Sequence, residues 1–179
     1  MKENIVLIGL SGCGKSRLGR RLASRLRMPF LDTDAMIVAK TGRSIADIFS
    51  REGEAFFRGL ESASACEAAA RKGVVIATGG GMVLRRENME ALAQNGFICF
   101  IDRHPSLILR STSLDDRPLV KSDGEKLHRL YAERIALYRQ WADYTLVNGR
   151  SMNGRMKRGV LRIIRRWNMA RQKALRDAA

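Results

Sequence analysis

With 179 residues, 45% of them apolar, the chain is long enough for one domain with a substantial core, and no stretch approaches the apolar run that a membrane span needs. The formal net charge of +15 invites a nucleic-acid reading. Of the 33 Lys and Arg and 18 Asp and Glu, however, residues 150–177 hold ten and one; the rest keeps 23 basic against 17 acidic, an ordinary excess for a protein that handles anionic ligands. The tail reads as a helix with a solvated basic face. Met1-Lys2-Glu3-Asn4 leads straight into the first apolar run, so no signal peptide is expected. Cys13, Cys66 and Cys99, an odd number without paired spacing, predict free thiols in a reducing compartment, and a cytoplasmic protein is expected.

In chain order, residues 5–8 form a short apolar run that predicts a strand, and Leu18, Leu22 and Leu26 set a helix over 15–27. Between them stands Gly9-Leu10-Ser11-Gly12-Cys13-Gly14-Lys15-Ser16, with the spacing G-x-x-x-x-G-K-S. A strand that turns through glycines into a helix presents backbone N–H groups and the positive end of the helix dipole to an anion. In this spacing the lysine reaches the β and γ phosphates of a nucleotide and the serine hydroxyl holds Mg²⁺. Cys13 is read as a small loop residue, since no histidine or base stands near it in the sequence to activate a thiol.

A second strand ends at Asp32; then come the apolar Met36, Ile37 and Val38, a turn at Thr41-Gly42-Arg43, and a helix that Ser44 caps. Gly53 breaks that helix before a longer one over about 54–71, with Phe56, Phe57 and Leu60 on its apolar side. Strands over 74–77, 97–102 and 144–147 are each followed by helical patterns, at 87–94, 104–111 and about 153–173, with fraying expected beyond Gln172. A further helix is predicted over 125–141. The polar stretch 112–124, with Asp115-Asp116-Arg117-Pro118, is too long for an idle connection. Strands alternating with helices predict an α/β protein: a five-stranded parallel sheet with helices on both faces.

Several unusual residues follow strands, where ligands sit in such sheets. Asp32 and Asp34 suit a metal ion and a substrate hydroxyl, or equally a turn and a helix cap. Gly79-Gly80-Gly81 suits backbone that must come close to a small polar ligand, with a flexible connection as the plainer alternative. Arg58 and Glu61 are three apart on one helix and Arg134 lies on another; they form either surface pairs or a grip on a carboxylate. Arg117 fits a lid that closes on a phosphoryl group, or is one more solvated arginine. His104 and His128 read as surface or capping residues, and no metal-ligand cluster is visible.

Taken together, these segments resemble shikimate kinase. The resemblance runs from Ile5 to about Arg166 and rests on residues 9–16, Phe30-Leu31-Asp32-Thr33-Asp34, Gly42-Arg43-Ser44-Ile45, Phe49, Gly53-Glu54, Phe57-Arg58, Glu61, Ala77-Thr78-Gly79-Gly80-Gly81, Arg117-Pro118-Leu119, and Glu133-Arg134 through Tyr138 to Ala142-Asp143. It implies strand order 2-3-1-4-5 and one P-loop kinase domain: core 1–33, 63–111 and 125–170, substrate-binding segment 34–62, lid 112–124 and basic tail 171–179. It implies transfer of a phosphoryl group from ATP to the 3-hydroxyl of shikimate, in the route to chorismate and the aromatic amino acids, by a monomer with Mg²⁺ and without a nucleic-acid or membrane partner.

The roles implied are these. Gly12, Cys13, Gly14, Lys15, Ser16 and Arg17 bind the ATP phosphates, with Lys15 on the transferred group; Ser16 and Asp32 hold Mg²⁺. Asp34 accepts the hydrogen bond of the 3-hydroxyl and is the proton acceptor. Arg58 and Arg134 grip the carboxylate with help from Gly79, Gly80 and Gly81; Glu61 stands behind Arg58, and Phe49 and Phe57 are apolar walls. Arg110 and Arg150 flank the adenine, and Arg117 comes from the lid. Thr78 stands where many phosphate-loop enzymes carry an aspartate; Asp102 ends the fourth strand and is read as the start of the next helix rather than as that aspartate. A kinase for gluconate or a nucleoside monophosphate, and a nucleic-acid-binding P-loop protein, are the alternatives.

Overall fold

A computed structural model describes residues 2–110, 124–149 and 152–177, the side chains of the last segment from Arg158 onward. Five parallel strands, β1 (Asn4–Ile8), β2 (Phe30–Asp32), β3 (Val75–Ala77), β4 (Gly96–Asp102) and β5 (Tyr144–Val147), pair in the order β2-β3-β1-β4-β5. Central strands of such a sheet are covered on both faces and therefore read as unbroken apolar runs. Ile5, Val6, Leu7 and Ile8 of β1 are all fully buried, as are most residues of β4.

Among the described residues seven α-helices surround the sheet: α1 (Lys15–Leu26), α2 (Thr33–Thr41), α3 (Ile45–Ala69), α4 (Arg86–Ala93), α5 (Pro105–Leu109), α6 (Gly124–Trp141) and α7 (Met152–Arg176), with a 3₁₀ turn at Met82–Leu84. On one face, α1 packs on β2 and β3 and against α7, which covers β4 and β5; α4 and α6 pack on β4 from the other. Gly19 lets α1 come close to the sheet, since an added Cβ there would collide with the Phe30 ring. Asn4 is fully buried at the sheet's lower end, donating to Arg71 O at 2.7 Å and accepting from Val74 N at 3.1 Å.

Residues 34–62 carry a small core of their own. Ile37, Ile48 and Phe57 cluster apart from the main core, with Ile45 and Leu60 against them, and Phe49 meets Phe57 with ring centroids 4.5 Å apart. Met36, Ile37 and Val38 are helical rather than a bare apolar stretch. The Asp32 carboxylate caps α2 by accepting from Asp34 N, so the helix starts directly after β2. Gly53 (φ 77°, ψ 177°) leaves helical geometry and breaks α3 into two arms there, as the sequence implied.

The basic helix α7 docks through Val160, Ile163 and Trp167, all buried, while Arg158, Arg162, Arg165 and Arg166 stay exposed. Burial of each such side chain contributes about 1.5–3 kcal/mol, and Trp167 Nε1 also donates to Lys2 O at 2.8 Å. Fraying does not set in at Gln172. Arg171 lies over the Trp167 ring at 4.7 Å, and the helix runs to Arg176. Asp102 ends the fourth strand as expected but does not begin the next helix. It accepts from the Tyr131 hydroxyl at 2.9 Å, whereas His104 caps α5 through its ring nitrogen.

Candidate active site

Residues 9–14 wrap into a loop because three glycines take left-handed backbone: Gly9 (φ 141°), Gly12 (φ 81°) and Gly14 (φ 103°). Gly9 has a second reason to be glycine, since a Cβ there would lie 2.7 Å from Ile101 O at the end of β4. Lys15, 7% exposed, folds back over the loop and donates to Gly9 O at 2.7 Å and Leu10 O at 2.8 Å. These carbonyl contacts keep the amino group over the loop, where phosphate oxygens can take their place. Cys13 is fully buried within the loop, its Sγ 3.8 Å from Lys15 Nζ.

The next layer is a chain of polar contacts between α1 and β2. Ser16 Oγ donates to Asp32 Oδ2 at 2.7 Å, and Asp32 Oδ1 receives Asp34 N at 3.2 Å. Asp32 therefore caps a helix, as one sequence reading had it, and also lies beside the P-loop hydroxyl. A serine hydroxyl touching a carboxylate at the mouth of a phosphate loop is a hard-oxygen pair that suits Mg²⁺ shared with phosphates. Among the described residues no group of three or more His, Cys, Asp or Glu side chains forms a metal cluster.

The glycine run after β3 is a hub of side-chain contacts. Gly79 N donates to the buried Thr33 hydroxyl at 3.0 Å, and a Cβ on Gly79 would lie 2.6 Å from Asp34 Oδ1 and 2.8 Å from Glu61 Oε1. One on Gly80 would lie 3.0 Å from Ser11 N of the phosphate loop, and one on Gly81 would collide with the Arg58 guanidinium. From α6, Arg134 Nη1 and the Tyr138 hydroxyl both donate to Gly80 O, at 3.2 and 2.6 Å. Residues from α2, α3 and α6 thus converge on three glycines that touch the loop holding Lys15.

Arg58 donates through Nη1 to Glu61 Oε2 at 2.6 Å and through Nε and Nη2 to Glu54 Oε1 at 3.2 and 2.8 Å. Burial works against its charge, but the hydrogen bonds and charges of Glu61 and Glu54 more than offset it and hold its pKa above the ordinary value. Arg85 Nη1 braces the same helix, donating to Arg58 O at 3.2 Å and Ser62 Oγ at 3.1 Å. Burial pushes the Tyr138 hydroxyl's pKa up, so it stays a donor to Gly80 O, and its ring stacks on Phe100 at 5.0 Å.

On the nucleotide side Arg17 and Arg110 are exposed, on α1 and just after α5. Arg117 and Arg150 lie outside the described residues. Asn148, directly after β5, donates through Nδ2 to Cys13 O at 2.9 Å and through its backbone N–H to Asp102 O at 2.7 Å, pinning the outside of the loop. A cleft of about 270 Å³ opens beside it, lined by Gly14, Leu18, Leu146, Arg158 and Arg162 among others. The sequence reading passed over Asn148, Thr33 and the role of Tyr138. The one available signal was that Asn148 follows a strand at the same sheet end as the loop.

A model of the shikimate kinase family matches residues 11–165. The shikimate kinase of Symbiobacterium thermophilum is 45% identical over 152 residues, 82% of this chain and 87% of its own length. That of Clostridium beijerinckii is 40% identical over 152 residues, 85% and 89% of the two chains. Among solved structures, shikimate kinase from Acinetobacter baumannii in complex with shikimate superposes with a TM-score of 0.83 at 38% identity, covering 90% of this chain and 92% of that one. A phosphate loop, a five-stranded sheet in the order 2-3-1-4-5 and kinship over most of the length lead to one conclusion: the chain belongs to the shikimate kinase family.

Proposed function

We propose that the chain transfers the terminal phosphoryl group of ATP to the 3-hydroxyl of shikimate, giving shikimate 3-phosphate and ADP in the route to chorismate and the aromatic amino acids. The observation that carries this reading is the convergence on residues 79–81 of Asp34, Glu61, Arg58 and Arg134, against the loop that holds Lys15. A carboxylate acceptor and two guanidinium groups in one hollow suit a small polyol acid.

In the transfer, the 3-oxygen of shikimate forms a bond to the γ-phosphorus as the bond from that phosphorus to the β–γ bridging oxygen breaks, and the hydroxyl proton passes to the Asp34 carboxylate. Phosphoryl transfer depends on positioning and on stabilising charge, rather than on covalent chemistry by the protein. Arg58 and Arg134, with the backbone of residues 79–81, hold the substrate's carboxylate so that its hydroxyl faces Asp34. Phe49 and Phe57 give the ring an apolar wall. Lys15 and the amides of residues 12–17 take the phosphates. Mg²⁺, when bound by Ser16 and Asp32 together with the nucleotide, neutralises phosphate charge.

In the same reading residues 34–62 bind the substrate, 112–124 close as a lid that brings Arg117, Arg110 and Arg150 flank the adenine, and the protein works as a monomer in the cytoplasm. The free cysteines among the described residues, Cys13, Cys66 and Cys99, support a reducing compartment, and no helix there is long and apolar enough to cross a membrane. A coupled ADP-release assay with shikimate, gluconate and AMP tests the reading. Turnover with shikimate is expected; turnover with gluconate or AMP alone would overturn it.

A further inference from the structure

Arg58 faces two carboxylates, and they are not equivalent. Glu61, which takes Nη1, has only 1% of its side chain exposed and is fixed in the core of α3. Glu54, which takes the paired Nε and Nη2 edge with a single oxygen, is 65% exposed. It sits directly after the Gly53 kink, where α3 restarts. The remaining side of the guanidinium rests against Gly81, so closely that a Cβ there would collide with Nη1. Arg58 itself is only 12% exposed.

A carboxylate binds a guanidinium best across two parallel N–H groups on one edge. On Arg58 the edge that is blocked neither by a buried glutamate nor by backbone is the one Glu54 holds. We infer that Glu54 is an internal competitor for the substrate: it occupies the carboxylate-binding edge of Arg58 until an incoming carboxylate displaces it into water. The inference rests on Arg58 being the carboxylate-binding residue proposed above. Its consequence is selectivity. A simple anion such as acetate must displace Glu54 with one ion pair alone, whereas shikimate adds the contacts of its hydroxyls and ring, and these offset the displacement. An ion pair that merely held Arg58 in place would have the opposite sign, because removing it would loosen the grip.

The test is calorimetric titration of shikimate into the full chain and into Glu54→Gln and Arg58→Ala, with ADP titration of each variant reporting an intact fold. An exchangeable, half-exposed ion pair is worth a Kd for shikimate lower by about two- to fivefold in Glu54→Gln. Acetate is expected to compete with shikimate more strongly in that variant than in the unmodified protein. A Kd that stays or rises, or acetate competing no better, overturns the competitor, and with shikimate binding lost in Arg58→Ala the carboxylate assignment stands. Shikimate binding that survives Arg58→Ala overturns the assignment itself.

Discussion

The phosphate loop takes its shape from one run, residues 9–16, whereas the proposed substrate hollow beside it would be assembled from residues as far apart in the chain as Asp34 and Arg134, which meet at residues 79–81. The loop is backbone work. Glycines at positive φ shape the backbone for an anion, and the side-chain contributions are those of Lys15 and Ser16. The hollow is side-chain work on a backbone hub, with Asp34, Glu61, Arg58 and Arg134 arriving from three helices. The difference teaches where each side is vulnerable: the loop to a change of charge or φ within itself, the hollow to any loss of space at residues 79–81.

The largest expected effect lies on the loop. Lys15→Ala removes the buried ammonium, and turnover falls by about three orders of magnitude or more in the ADP-release assay. Next comes Arg58→Ala. Truncating one partner of a buried charged contact costs roughly 2–4 kcal/mol, so the Kd for shikimate rises about 30- to 1000-fold while that for ADP moves little. A smaller effect is expected at the hub. The Cβ of Gly79→Ala meets both the Asp34 and Glu61 carboxylates, and the overpacking, about 1–3 kcal/mol, raises the KM for shikimate with the ATP parameters nearly unchanged. The smallest concerns the solvated face of α7. Arg165→Gln combined with Arg166→Gln alters kcat by less than about twofold, since exposed charges contribute little; a large drop would assign that face to the reaction.

What the sequence disclosed follows the same division. The loop was legible from spacing alone, because the residues that cradle an anion are neighbours in the chain. The parallel sheet was legible too, since buried strands such as β1 and β4 are near-continuous apolar runs. The proposed grip of Arg58 and Arg134 was open on residues alone and came only from the family resemblance, because Arg58 and Glu61 at i,i+3 read equally as a surface pair or a buried one. Asn148 and Thr33 escaped. Each acts through a tertiary hydrogen bond, to Cys13 O and from Gly79 N, that no local pattern encodes. Asp102 was legible as a strand end but was wrongly given the start of the next helix, because its partner Tyr131 lies far along the chain on α6 and His104 caps α5 instead.

The most direct measurement is a pair of calorimetric titrations, shikimate and ADP, into Lys15→Ala and Arg58→Ala. Two separately built halves predict crossed losses: Lys15→Ala keeps shikimate and weakens ADP, and Arg58→Ala keeps ADP and loses shikimate. Equal weakening of both ligands by the Arg58 change would contradict the account.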